Sequence, residues 1–211
     1  MTLRRALFAL LLIAAPAVTQ DEFAGVDPAP TRADYFVPRL APTRADKGAD
    51  VTIVYFFDYQ CPACRKLTPE VGNAFDRDHK LRVIYRDTPI FGPRSLAAAR
   101  LAIASQFQGR HEAFHRALMA EKLPLTDAAI RHAASVAGID WPRLTRDLAA
   151  RSKAIDAQIK WNETLSEATG FSGTPAFIVG NRQADGALSA TGLTALIADA
   201  RKAHPAKSKR R

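Results

Sequence analysis

The sequence predicts an α/β fold in which an all-helical segment interrupts a sheet. Three observations carry this. Residues 51-VTIVYFFD-58 are β-branched and aromatic with almost no alternation, the pattern of a strand covered on both faces. One helix later, 81-LRVIYRD-87 reads as a second strand, completing a βαβ unit that closes right-handed. Strand character then vanishes from residue 93 to 169 and returns only at 175-PAFIVG-180.

In chain order, MTLRRALFALLLIAAPAVTQ places Arg4 and Arg5 before an apolar run from Ala6 to Ala15, and Ala15-Pro16-Ala17 has the small-x-small form of a signal-peptidase site. Residues 1–17 are therefore expected to be a signal peptide, and the remainder an exported protein. Residues 18–50 are rich in Pro, Ala and charge and carry APTRAD twice, at 29–34 and 41–46. Two copies cannot stack into a solenoid, so this segment is expected to be extended, with one short edge strand near Tyr35 to Val37. A helix is expected from Pro62 to about His79, kinked at Pro69. Helical periodicity at Leu96, Ala99, Ile103 and Phe107, then Ile130, Ala133 and Ala137, then Ile155, Ile159 and Leu165, predicts four or five helices. A weak strand near Arg182 to Ala184 and a last helix from Gly192 to about Ala203 close the fold. The expected organisation is thus a sheet domain from 51–91 and 171–203, a helical insertion over 92–170, and a basic tail at 204–211.

The 211 residues carry a formal charge of +9. Setting aside Arg4 and Arg5 leaves +7, and setting aside Lys207, Lys209, Arg210 and Arg211 leaves +3 for the body. The excess lies at the ends, no base-reading motif accompanies it, and a nucleic-acid partner is not expected. No phosphate-binding loop or dinucleotide fingerprint occurs either, so no cofactor is expected and any electrons must come from protein thiols.

The only two cysteines stand together in 61-CPAC-64, at the join of the first strand and its helix. A disulfide closing so small a loop stabilises a fold little, which disfavours a structural staple. At the helix N-cap, the Cys61 sulfur faces the free amides of the first turn and the positive end of the helix dipole, with Pro62 at N1 and Ala63 after it. As a thiolate it accepts those amides, so its pKa should fall and its disulfide should be easily reduced. Cys64, one turn along and more buried, is placed to resolve a mixed disulfide at Cys61. Zinc would want two further ligands, and a Cu(I) site on the two thiolates is the remaining metal rival. The decoy 111-HEAFH-115 matches H-E-x-x-H but lacks a third ligand nearby, and reads as an ordinary helix with two surface histidines. The sequon at Asn162 lies in helical context and reads as chance.

Taken in order, FFDYQCPACRKL, YRDTPIFGPRSLAAARLAIA, FHRAL, GFSGTPAFIVG and DGAL resemble the DsbA-type thiol:disulfide interchange proteins of the bacterial cell envelope, over roughly Val51 to Ala203. The resemblance implies a thioredoxin fold with a helical insertion and a periplasmic location. It implies that Cys61 is the exchanging sulfur, that Cys64 resolves, and that Pro175 is cis and packs beside Cys61. Thr174 would then be free to pair with an extended substrate strand. The implied partners are folding exported proteins with thiols and a membrane redox partner. An isomerase or reductase kept reduced is the alternative. Tyr59, Phe91 and Phe171 are candidates to line the substrate groove. Two positions depart from the pattern: Tyr55 stands where such proteins commonly carry a buried acid, and Ala63 where strongly oxidising members often have histidine.

Overall fold

The computed structural model describes residues 30–203. The expected signal peptide and basic tail lie outside the described residues. Five strands form one sheet in the order β1-β3-β2-β4-β5: β1 (Thr43–Ala45), β2 (Val51–Phe57), β3 (Leu81–Asp87), β4 (Ala176–Val179) and β5 (Arg182–Asp185). β2 and β3 run parallel, in register from Val51 against Leu81 to Phe57 against Asp87. The other pairings are antiparallel. Between β2 and β3 runs α1 (Pro62–Arg77). The insertion holds α2 (Pro93–Ser105), α3 (His111–Ala120), α4 (Asp127–Val136) and α5 (Trp141–Thr169), and α6 (Ala190–Ala203) ends the fold.

The unbroken apolar run of β2 has the reason expected for it, because the sheet is covered on both faces. Ile53, Tyr55 and Phe57 point toward α1, α3 and α6, together with Leu81, Val83, Tyr85, Phe177 and Val179. Val54 and Phe56 point the other way, into a smaller cluster with Ile84, Ile178, Trp161 and Leu165. Burying one such side chain contributes about 1.5–3 kcal/mol, so β2 is the strand most committed to the core.

The expected edge strand is displaced. Residues Arg32–Phe36 form a 3-10 helix begun by the first APTRAD copy: the Thr31 hydroxyl donates to the Asp34 carboxylate at 2.7 Å, and the Thr31 amide donates to it at 2.8 Å. The second copy supplies β1, on the edge beside β3. The Thr-Arg-Ala-Asp shared by the two copies takes two conformations, and it is the second copy that meets the sheet edge beside β3. Helix α1 runs from Pro62 to Arg77 as one element through Pro69, although the proline removes one backbone bond.

The lead-in is held by a buried cation. Arg86, fully buried on the far face of β3, donates to the carbonyls of Tyr35 at 3.1 Å and Val37 at 2.8 Å, and to Asn162 Oδ1 at 3.2 Å. Burial lowers the Arg86 pKa to about 9. Asn162 is itself fully buried and donates to the Asp87 carbonyl, which puts the sequon's acceptor side chain inside the protein.

Candidate active site

The turn after β2 delivers Cys61 to the start of α1. Cys61 is the N-cap, with extended backbone (φ −70°, ψ 116°), and its sulfur accepts the Cys64 amide at 3.3 Å. Pro62 follows at N1, where its missing N–H costs nothing. Ala63 comes next and exposes its side chain, leaving Cys64 to point inward with Leu67, Thr68, Val71, Gly72 and Phe75 along the buried stripe of α1.

The two thiols are pushed apart. Cys61 is lowered to about 6, chiefly by its hydrogen bond with Cys64 and further by first-turn amides, against the opposing effect of burial. Cys64 is pushed far up, first by burial and then because Cys61 holds the hydrogen bond that favours a protonated Cys64 thiol. One sulfur is thus an anion at neutral pH and its neighbour keeps its proton.

The third part of the site arrives from the other end of the chain. The Thr174-Pro175 peptide is cis and leads directly into β4. The Thr174 carbonyl lies 3.2 Å from the Cys61 sulfur, which donates to it when protonated. The Thr174 hydroxyl is buried without another partner among the described residues, and its interaction with Cys61 favours the thiolate. Cys61, Cys64, Thr174 and Pro175 therefore converge, although 113 residues separate Cys61 from Thr174.

Asp58 was not singled out from the sequence, yet it organises the loops around the dithiol. It is buried at 1% exposure and accepts the Gln60 amide at 2.6 Å, the Phe91 amide at 2.9 Å and the Ser95 hydroxyl at 2.7 Å. Its place gives the only sequence signal: a charged residue directly after an apolar strand and just before the cysteines. Asp87 ends the neighbouring parallel strand in the same way. It is fully buried, neither of its carboxylate oxygens has a hydrogen-bond partner among the described residues, and burial raises its pKa well above the usual carboxylate range.

The two histidines of the H-E-x-x-H stretch are not on the surface. They share one stripe with Phe114 and Leu118, and that stripe faces the core: His111 is 7% exposed and His115 is 3% exposed. His115 Nδ1 lies 3.2 Å from the Tyr59 hydroxyl, and both rings pack on Tyr85. Burial lowers His111 to about 3 and His115 well below its ordinary value, so both are neutral. No group of three or more potential metal ligands occurs among the described residues. Of the proposed groove aromatics, Tyr59 is a core residue, while Phe91 is 47% exposed and Phe171 is half-buried. Phe171 borders a cleft of about 490 Å³ next to the Thr174-Pro175 turn, with Ile90 and Gly173.

The family model for the DSBA-like thioredoxin domain matches residues 52–198. The chain belongs to that family. This DSBA-like chain is also similar to a solved thioredoxin-like oxidoreductase from Silicibacter pomeroyi, with 36% identity, a TM-score of 0.75, and coverage of 82% of this chain and 99% of the other. It is similar to the thiol-disulfide exchange protein alpha-DsbA2 of Wolbachia pipientis, with 26% identity, a TM-score of 0.74, and coverage of 79% and 90%. Among curated sequences it is 28% identical over 159 residues to a Na(+)/H(+) antiporter NhaA 1 of Salinispora arenicola, covering 74% of this chain and 24% of that one. The chain spans about a quarter of the length of the curated relatives it matches. No helix among the described residues is long and apolar enough to cross a membrane. The DSBA-like chain has a thioredoxin-type sheet and a helical insertion.

Proposed function

We propose that this oxidoreductase works in the bacterial periplasm and donates a Cys61–Cys64 disulfide to exported proteins as they fold. The observation that carries the reading is the Cys61 sulfur, buried at the first turn of α1 with its pKa lowered to about 6. A stabilised thiolate is a good leaving group, and it favours the reduced form of the pair, so the disulfide acts as an oxidant toward ordinary protein thiols.

In this reading a substrate thiolate attacks the Cys61 sulfur and the Cys61–Cys64 bond breaks, Cys64 leaving and taking up a proton. A second substrate thiolate then attacks the substrate sulfur, forming the substrate disulfide and releasing Cys61 as its stable anion. The Thr174 backbone, held beside Cys61 by the cis bond to Pro175, supplies an edge for an extended substrate strand. Exposed Ile90 and Phe91, with Phe171, offer apolar contact for an unfolded chain. A membrane redox partner then reoxidises the pair. The apolar N-terminal run behind Arg4 and Arg5 supports export.

The test is to trap thiols in living cells with an alkylating reagent and resolve the two redox forms by mass. A mostly oxidised Cys61–Cys64 pair is expected. A mostly reduced pair would instead assign the protein as an isomerase or reductase.

A further inference from the structure

The cleft beside the Thr174-Pro175 turn is acidic, although the body of the chain carries a positive excess. Glu163 and Glu167 stand one turn apart near the end of α5 and line it together with Ile90, Phe171 and Gly173. No lysine, arginine or histidine lines it among the described residues. Lys160 approaches Glu163 at 3.5 Å, but its side chain is 72% exposed, and such a surface pair holds weakly. Glu167 stands where a helix disfavours it, because the C-terminal end of the helix dipole is negative and ordinarily attracts Lys or Arg. The last turn of α5 carries no basic residue, so the helix end and the carboxylates draw a cation to the same place.

A second observation points to a ligand. Ser166 lies between the two acids in sequence, is only 7% exposed and lines the cleft, yet its hydroxyl has no hydrogen-bond partner among the described residues. The neighbouring helix hydroxyls of Thr164 and Thr169 donate back to the carbonyls of Lys160 and Ser166. Ser166 alone of these three keeps its hydroxyl for the cleft. The remaining walls suit an apolar stem. Ile90 is 51% exposed, and its Cδ1 lies 3.8 Å from where a Cβ on Gly173 would stand. Phe171 is fixed edge-on to Phe56 at 5.5 Å.

We propose that this cleft is a substrate subsite for a lysine or arginine side chain, whose apolar stem lies along Ile90 and Phe171 and whose charged head meets Glu163, Glu167 and the Ser166 hydroxyl. Gly173 joins the cleft to Thr174, whose carbonyl is 3.2 Å from the Cys61 sulfur. A substrate strand paired with the Thr174 backbone turns every second side chain to the same face, which places the cation about two residues from the reactive cysteine. The site thus selects cysteines that stand in basic segments of an unfolded chain and turns away those in acidic ones.

The inference rests on the disulfide-exchange reading, and the experiment separates the two. The full chain, oxidised to its Cys61–Cys64 disulfide, is mixed with unstructured dithiol peptides that differ only in carrying Lys, Gln or Glu two residues before or after the first cysteine. One peptide thiolate attacks the Cys61 sulfur and Cys64 leaves, taking up a proton. The second peptide thiol gives up a proton and displaces Cys61, so the peptide is oxidised and the pair reduced. Mass after acid quenching gives the rate, and each rate is divided by that of the same peptide with hydroxyethyl disulfide, which removes the effect of charge on the peptide's own thiols. At low salt the Lys peptide, at one of the two places, should react about 5- to 10-fold faster than the Glu peptide, with Gln between, and the ratio should shrink as salt rises. Glu163→Gln combined with Glu167→Gln should bring the ratio close to one. Asp199→Asn, which removes a carboxylate on α6, should leave it as in the wild type. Equal corrected rates for the Lys and Glu peptides at both places, or a ratio that survives the double substitution, would overturn the subsite while leaving disulfide exchange intact. Failure of the wild type to oxidise any peptide would overturn exchange itself.

Discussion

Lowering the pH through 6 should change how the potential of the Cys61–Cys64 pair depends on pH. Cys61 ionises near 6 in the folded, reduced protein, against about 8.5 for a free thiol. Its folded pKa is depressed, so the stabilisation of the reduced state is fully present above the free-thiol pKa and is lost as pH falls through about 6. At pH 7 there are about ten thiolates per thiol at Cys61, worth RT ln 11, or about 1.4 kcal/mol in favour of the reduced form. For a two-electron couple that is about 30 mV toward a more oxidising disulfide. Cys64 stays protonated throughout this range, its pKa being raised. Reduction therefore takes up one proton above pH 6 and two below it, and the potential should fall by about 30 mV per pH unit above the break and about 59 mV per unit below. Equilibration against glutathione from pH 4.5 to 8, with thiolate absorbance at 240 nm followed in parallel, measures both. A thiolate midpoint near 8.5 with no break in slope around 6 would refute the reasoning.

Three further outcomes are expected. Asp58→Asn turns one of two accepting oxygens into a donor, set either against the Phe91 amide or against the Gln60 amide and Ser95 hydroxyl, and should cost about 1–3 kcal/mol in urea unfolding, with the active-site loops opening first in hydrogen exchange. Ala63→His places a cation next to the thiolate and should make the disulfide more oxidising, by about 30 mV for each unit the Cys61 pKa falls further, read in the same glutathione equilibrium. Because His111 and His115 are buried and neutral, a chelator should leave thiol exchange unchanged, and one tight zinc per chain with peptidase activity would contradict this.

Much of the site was legible because its chemistry is local. A cysteine at a helix N-cap, a proline at N1 and a partner one turn along are written within four residues, and the capping physics follows from position alone. The fold's interruption was legible because β2 and β3 read differently from the helical stretch between Pro93 and Thr169. What stayed hidden depends on tertiary context. The two APTRAD copies are identical in sequence, and only the sheet edge beside β3 decides that Thr43–Ala45 pairs while the first copy starts a turn of helix. His111 and His115 look polar and were expected outside, but they occupy the same helical stripe as Phe114 and Leu118, and the stripe outweighs the residue type. Asp58 reaches Phe91 and Ser95 across 33 and 37 residues of chain, a distance no local pattern encodes.

Arg86 bears on where this protein can be cut. Two of its acceptors, the carbonyls of Tyr35 and Val37, belong to a stretch that precedes the matched family segment, which begins at residue 52. An expression fragment trimmed to that segment would strip a buried guanidinium of both, at about 1.5–3 kcal/mol for each hydrogen bond to a charged group, and would unpair an edge strand as well. The stretch acts as a buckle across the back of the sheet, so a fragment that keeps it should withstand more urea than one that starts at the first apolar strand.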